Sequence, residues 1–98
     1  MNSIEVIETL RRSEHALRER GVLHAALFGS VARGSNEAGS DIDIMIEIDP
    51  GIRMTVFDYV DLKDYIGTLF GQPVDVVNRE SLKPYVRPAA TSDAIYAF

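Results

Sequence analysis

At 98 residues the chain has room for one domain and one hydrophobic core, and its 46% hydrophobic and 26% charged residues are those of a globular protein. A formal net charge of -5, with ten Lys and Arg that form no stripe, argues against broad binding of nucleic acid through its phosphates. Without cysteine there is no disulfide framework and no thiolate metal site; with no apolar run near the roughly 18 residues of a membrane span, and with Glu5 and Glu8 where a signal peptide would be apolar, a cytoplasmic location without membrane contact is expected.

From Ile4 to about Arg20 the apolar residues Ile4, Val6, Ile7, Leu10 and Leu17 recur at helical spacing, with Glu and Arg opposite them. Asn2 or Ser3 supplies the N-cap, Asn2 with Glu5 fits a loose capping box, and Gly21 suits a left-handed stop. Val22 to Phe28 is a short apolar run between a helix stop and a glycine, which predicts a buried strand. A Gly- and Ser-rich stretch from Gly29 to Ser40 follows, with a short helix beginning at Ser30. Ile42, Ile44, Ile46 and Ile48 alternate, which is strand periodicity with one face buried.

Pro50 and Gly51 then break the chain. Met54 to Phe70 reads as a second amphipathic helix, with Val56, Phe57, Val60, Ile66, Leu69 and Phe70 as its apolar set. Val74 to Val77 is a short strand carrying Asp75, Pro84 and Pro88 interrupt any long helix, and Ala94 to Phe98 is a last strand or a docking segment. With no repeat, linker or low-complexity tract, residues 1–98 are expected to form a single α/β (α+β) domain. The expected architecture is a small mixed β-sheet with helices packed on one face.

The chemistry concentrates in Leu27-Phe28-Gly29-Ser30-Val31-Ala32-Arg33-Gly34 and Ser40-Asp41-Ile42-Asp43-Ile44. A strand that ends in Gly-Ser and turns into a short helix aims backbone N–H groups and a hydroxyl at one point, an arrangement that binds phosphate. Gly29 leaves room for an anion to approach the backbone. Asp41 and Asp43, one residue apart on a strand, project from the same face. Two such carboxylates repel each other unless cations intervene, and hard divalent ions with a taste for oxygen and phosphate suit them. Asp75, between Val74 and Val76 on a second short strand, is placed to join them.

Gly29-Ser30, then Asp41-x-Asp43, then a later strand with Asp75, resembles the DNA polymerase β-type nucleotidyltransferase superfamily. The short length is similar to its minimal nucleotidyltransferases, the MNT antitoxins of HEPN/MNT toxin–antitoxin pairs, over about residues 22 to 78. The resemblance implies a two-metal transfer of AMP from ATP to a hydroxyl, that of a tyrosine, of a cognate HEPN-family toxin, within a hetero-oligomer. Asp41, Asp43 and Asp75 would hold two Mg²⁺ ions (Mn²⁺ being the alternative), with Asp75 also placed to take the hydroxyl proton. Gly29 and Ser30 would hold the triphosphate, with Arg33 either an added cation there or one half of a surface ion pair. A non-catalytic antitoxin that neutralises by binding, and a small-molecule nucleotidyltransferase, stand as alternatives.

Simpler assignments cover the remaining residues. Met45-Ile46 denies the oxygen ligand and glycine that an EF-hand loop would need, and Arg33-Gly34-Ser35 lacks the lysine of a P-loop. His15 and His24 read as packing or surface residues. Asp58, Asp61 and Asp64 form a solvated acidic face that could also meet a basic partner. Tyr59, Tyr65, Tyr85 and Tyr96 read as amphipathic core or interface residues.

Overall fold

The helix expected from Ile4 to Arg20 divides in two in the computed structural model, which describes residues 2–34, 41–82, 88 and 92–98. Helix α1 runs Ser3–Arg12 and helix α2 runs Glu14–Glu19. The break is Ser13, at φ -97° and ψ 4°, whose N–H is shared among the carbonyls of Thr9, Leu10 and Arg11. The capping box at the start is present: Glu5 N–H donates to Asn2 Oδ1 at 2.9 Å and Asn2 N–H to Glu5 Oε1 at 3.2 Å. Gly21 takes φ 99° and turns the chain out of α2, as its position predicts.

Strand β1 (Val22–Phe28), helix α3 (Gly29–Arg33), strand β2 (Ile42–Ile48), helix α4 (Val56–Thr68), strand β3 (Val74–Asn78) and strand β4 (Ile95–Tyr96) follow, with a 3₁₀ turn at Arg79–Ser81. Among the described residues the strands make one sheet in the order β3-β2-β1-β4. β1 pairs antiparallel with β2 and with β4, whereas β2 and β3 are parallel. A parallel pair needs a long crossover, and α4 supplies it. The sheet is therefore mixed, as expected, and β3 continues one residue beyond the predicted Val77.

One face of the sheet carries the core. Ile42, Ile44 and Ile46 of β2, Ala25 and Leu27 of β1 and Val76 of β3 are buried against Val6, Ile7 and Leu10 of α1, Leu17 of α2, Val31 of α3, and Leu62 and Ile66 of α4. The alternation read in β2 is what puts its isoleucines on this side.

The apolar set expected for α4 needs correction. Ile66 and Phe70 are buried and Leu69 packs partly against the core, but Val56, Phe57 and Val60 are 76%, 82% and 48% exposed. Leu62, absent from the expected set, is the residue that anchors the helix at 1% exposure. Residues four apart share a helix face, so Leu62 and Ile66 define the inward side and the valines and Phe57 face away from it. Tyr85, Ser40 and Pro84 lie outside the described residues.

Candidate active site

The opposite face of the sheet carries Asp43, Glu47 and Asp75 around the buried pair Ala26 and Met45. Parity along β2 turns Asp43 away from Ile42 and Ile44, and Asp43 is paired with Phe28 on β1 and with Asp75 on parallel β3. Asp41 stands two residues earlier, at the entrance to β2, where Ile42 N–H donates to the Pro73 carbonyl at 3.2 Å and ties the β2 and β3 entrances together. Asp41 and Asp75 are exposed and Asp43 is half-buried. All three predicted carboxylates therefore sit at the same end of the same face.

Gly29 closes the site from the β1 side. Its φ is 76°, a left-handed conformation that L side chains rarely adopt, and a Cβ at this position would collide with the Asp43 carboxylate. Glycine here serves both the turn from β1 into α3 and the close approach of backbone to Asp43. Ser30 is the next residue, in the first turn of α3 and half-buried. Gly34, at φ 72°, ends the helix in the left-handed conformation.

Burial raises the pKa of Asp43 above the ordinary carboxylate value, the charges of Asp75 and Asp41 raise it further, and Arg33 opposes them. Among the described residues no three acidic or histidine side chains converge closely enough to cage a single ion. The charges of Asp75 and Asp41 both act on Asp43, and cations placed among the three carboxylates would remove that repulsion. An all-oxygen donor set of this kind fits Mg²⁺ or Mn²⁺ and does not fit a thiolate-seeking metal.

Arg33 stands in a surface ion pair, one of the two roles expected of it. Its Nη1 lies 3.0 Å from Asp93 Oδ2, in an ion pair with both side chains partly exposed. It is still close enough to lower the pKa of Asp43. Asp93 carried no signal in the sequence. It reaches Arg33 because β4 docks on β1, with Ala26 opposite Tyr96 and Leu27 opposite Ile95.

A second polar group occupies the far end of the same face. Tyr96 donates its hydroxyl to Glu47 Oε2 at 3.4 Å, and Arg79 Nη1 lies 3.9 Å from Glu47 Oε1. His24 meets the Tyr96 ring edge-on at 6.2 Å between centroids, with Nδ1 3.3 Å from the Phe98 carbonyl oxygen. His15 lies on the surface 2.9 Å from Glu19. Both histidines thus take the surface roles expected of them, and Tyr96 bridges sheet residues.

The sequence signature of the nucleotidyltransferase domain matches residues 10–97 of the chain. A Methanocaldococcus jannaschii chain provisionally named a protein adenylyltransferase is 37% identical over 94 residues, covering 94% of both chains. Protein adenylyltransferase MntA of Thermococcus cleftensis is 32% identical over 97 residues, covering 98% of this chain and 94% of its own. Among solved structures, a minimal nucleotidyltransferase superposes with a TM-score of 0.71 at 32% identity, covering 97% of this chain and 95% of that one. An MNT antitoxin in complex with the tri-AMPylated HEPN toxin of Shewanella oneidensis superposes with a TM-score of 0.64, covering 94% of this chain and 71% of that one. At 16% identity that last likeness is one of fold.

Proposed function

The chain belongs to the nucleotidyltransferase domain family, among its minimal members, and on that premise we propose that it is an antitoxin that transfers AMP from ATP to a tyrosine hydroxyl of a HEPN-family toxin. The single domain of residues 1–98 is the catalytic unit in this reading. The observation that carries it is the registered pairing of Asp43 with Asp75, two residues on from Asp41 and packed against the Gly29 backbone. That the solved complex of an MNT antitoxin with an AMPylated HEPN toxin shares this fold supports the choice of partner.

Asp41 and Asp43 would hold two divalent cations, Mg²⁺ or Mn²⁺, with Asp75 completing the set. Bound there, the ions would supply Lewis-acid stabilisation of the α-phosphate and of the pyrophosphate leaving group. Asp75, exposed at the edge of the site, takes the proton of the attacking hydroxyl. The Gly29-Ser30 turn holds the triphosphate through backbone N–H groups and the Ser30 hydroxyl. Arg33 adds positive charge beside Asp43 once it leaves Asp93. The transferred bond is a phosphoester: the acceptor oxygen joins the α-phosphorus and the bridging oxygen leaves with pyrophosphate.

Intact-mass spectrometry of a cognate HEPN-family protein, after incubation with the chain, ATP and Mg²⁺, tests the proposal. The expected result is a HEPN protein heavier by whole AMP units, with fragmentation placing them on tyrosine. An unmodified HEPN protein bound in a stable complex would make the chain an antitoxin that works by binding alone.

A further inference from the structure

Helix α4 presents an apolar face to solvent that the fold does not use. Phe57 is 82% exposed and Val56 76%, and Val60 follows one turn later at 48%. Isolated exposed apolar residues need no explanation, but three within one helical turn and a residue of each other form a contiguous patch. Gly67 lies in the last turn of α4 on the same side, four and seven positions along from Lys63 and Val60. It is helical, without a positive φ, and a Cβ built there would meet nothing within 4 Å. A glycine inside a helix costs about 1 kcal/mol against alanine, and no close approach among the described residues repays it. A second helix packed close against this surface would, because glycine lets backbones approach.

The charges around the patch decide what covers it. Asp61 and Asp64 follow Phe57 and Val60 at four positions along the helix and are exposed. Lys63, on the other flank, lies over the Tyr59 ring at 5.7 Å. In a two-fold contact between copies, the patch would meet itself and set these aspartates against their counterparts, between chains of net charge -5 each. A partner of opposite sign relieves that repulsion.

We propose that the outer face of α4, Val56, Phe57 and Val60 with Gly67 and the flanking Asp61 and Asp64, is the seat of a basic amphipathic helix of the acceptor protein. The proposal rests on the reading of the chain as acting on a protein partner and adds where that partner is held. The seat is separate from the carboxylates: α4 packs on the core side of the sheet, and Asp43 faces the other side. Partner affinity and nucleotide chemistry are thereby separable by mutation.

The test is isothermal titration of the full chain with the HEPN-family protein, run beside Mg·ATP binding and sedimentation of the chain alone. The variants are Phe57→Ser/Val60→Ser, Gly67→Leu and Asp61→Lys/Asp64→Lys. Loss of a central apolar anchor is expected to raise the Kd roughly 30-fold or more, with Mg·ATP binding unchanged. Gly67→Leu is expected to raise the Tm, since leucine is the better helix former, while weakening the partner, an outcome misfolding cannot mimic. Asp61→Lys/Asp64→Lys is expected to weaken the complex and flatten its salt dependence. Wild-type affinity in all three variants would overturn the proposal and leave the proposed function standing. So would a wild-type dimer that Phe57→Ser/Val60→Ser dissociates without change in partner affinity. Failure of the wild-type chain to bind or modify the HEPN protein at all would overturn both.

Discussion

Burial and two neighbouring carboxylates disfavour the charged form of Asp43, so that ionised side chain costs the metal-free protein stability. Its folded pKa lies above the unfolded value, so its favourable contribution is complete below the ordinary carboxylate pKa of 3.8 and is lost as pH rises through the folded value. Asp43→Asn is therefore expected to raise the Tm of metal-free protein at pH 7, by an increment that shrinks toward zero as pH falls through the carboxylate range. Calorimetry across pH checks this, and the same variant should have no transferase activity. Gly29→Ala combines a strained φ with a collision at Asp43 and should cost about 1–3 kcal/mol in chemical denaturation, with loss of activity. The carboxylates and Gly29 were legible because strand parity and a Gly-Ser turn are local properties. Asp93 was not, because its approach to Arg33 depends on which edge of the sheet β4 joins.

At the scale of elements, the start of α4 is held by a capping box. Thr55 Oγ1 accepts from Asp58 N–H and an Asp58 carboxylate oxygen accepts from Thr55 N–H, both at 3.1 Å. Thr55→Ala is expected to cost about 1 kcal/mol, measured by urea denaturation. Asp58, grouped by its spacing with Asp61 and Asp64 as a solvated face, thus has a structural duty of its own. The strands were readable almost to the residue, since alternating isoleucines or a run closed by glycine leave few registers open. Helix faces were less so. Val56, Phe57 and Val60 are as apolar as core residues, and only the crossover from β2 to β3 fixes which side of α4 meets the sheet. The division between α1 and α2 falls at Ser13, where the apolar spacing skips from Leu10 to Leu17 across polar Ser13 and Glu14.

At the scale of the whole molecule, the sheet separates two tasks. One face buries a single core against the helices, and the other displays Asp43 and Asp75 in register with Asp41 beside them. Leu62→Ala removes a fully buried anchor of that core and should cost about 2–5 kcal/mol, whereas Phe57→Ala should change stability by only about 0.5 kcal/mol. Paired denaturation curves separate the two. The measurement closest to the central claim compares ATP labelled at the α-phosphate with ATP labelled at the γ-phosphate, incubated with the chain, the proposed HEPN-family partner and Mg²⁺. Label is expected on the partner from the α-position alone, and none with Asp41→Asn/Asp43→Asn or with metal chelated. Label arriving from the γ-position, or α-label that survives loss of both aspartates, would contradict nucleotidyl transfer at this site.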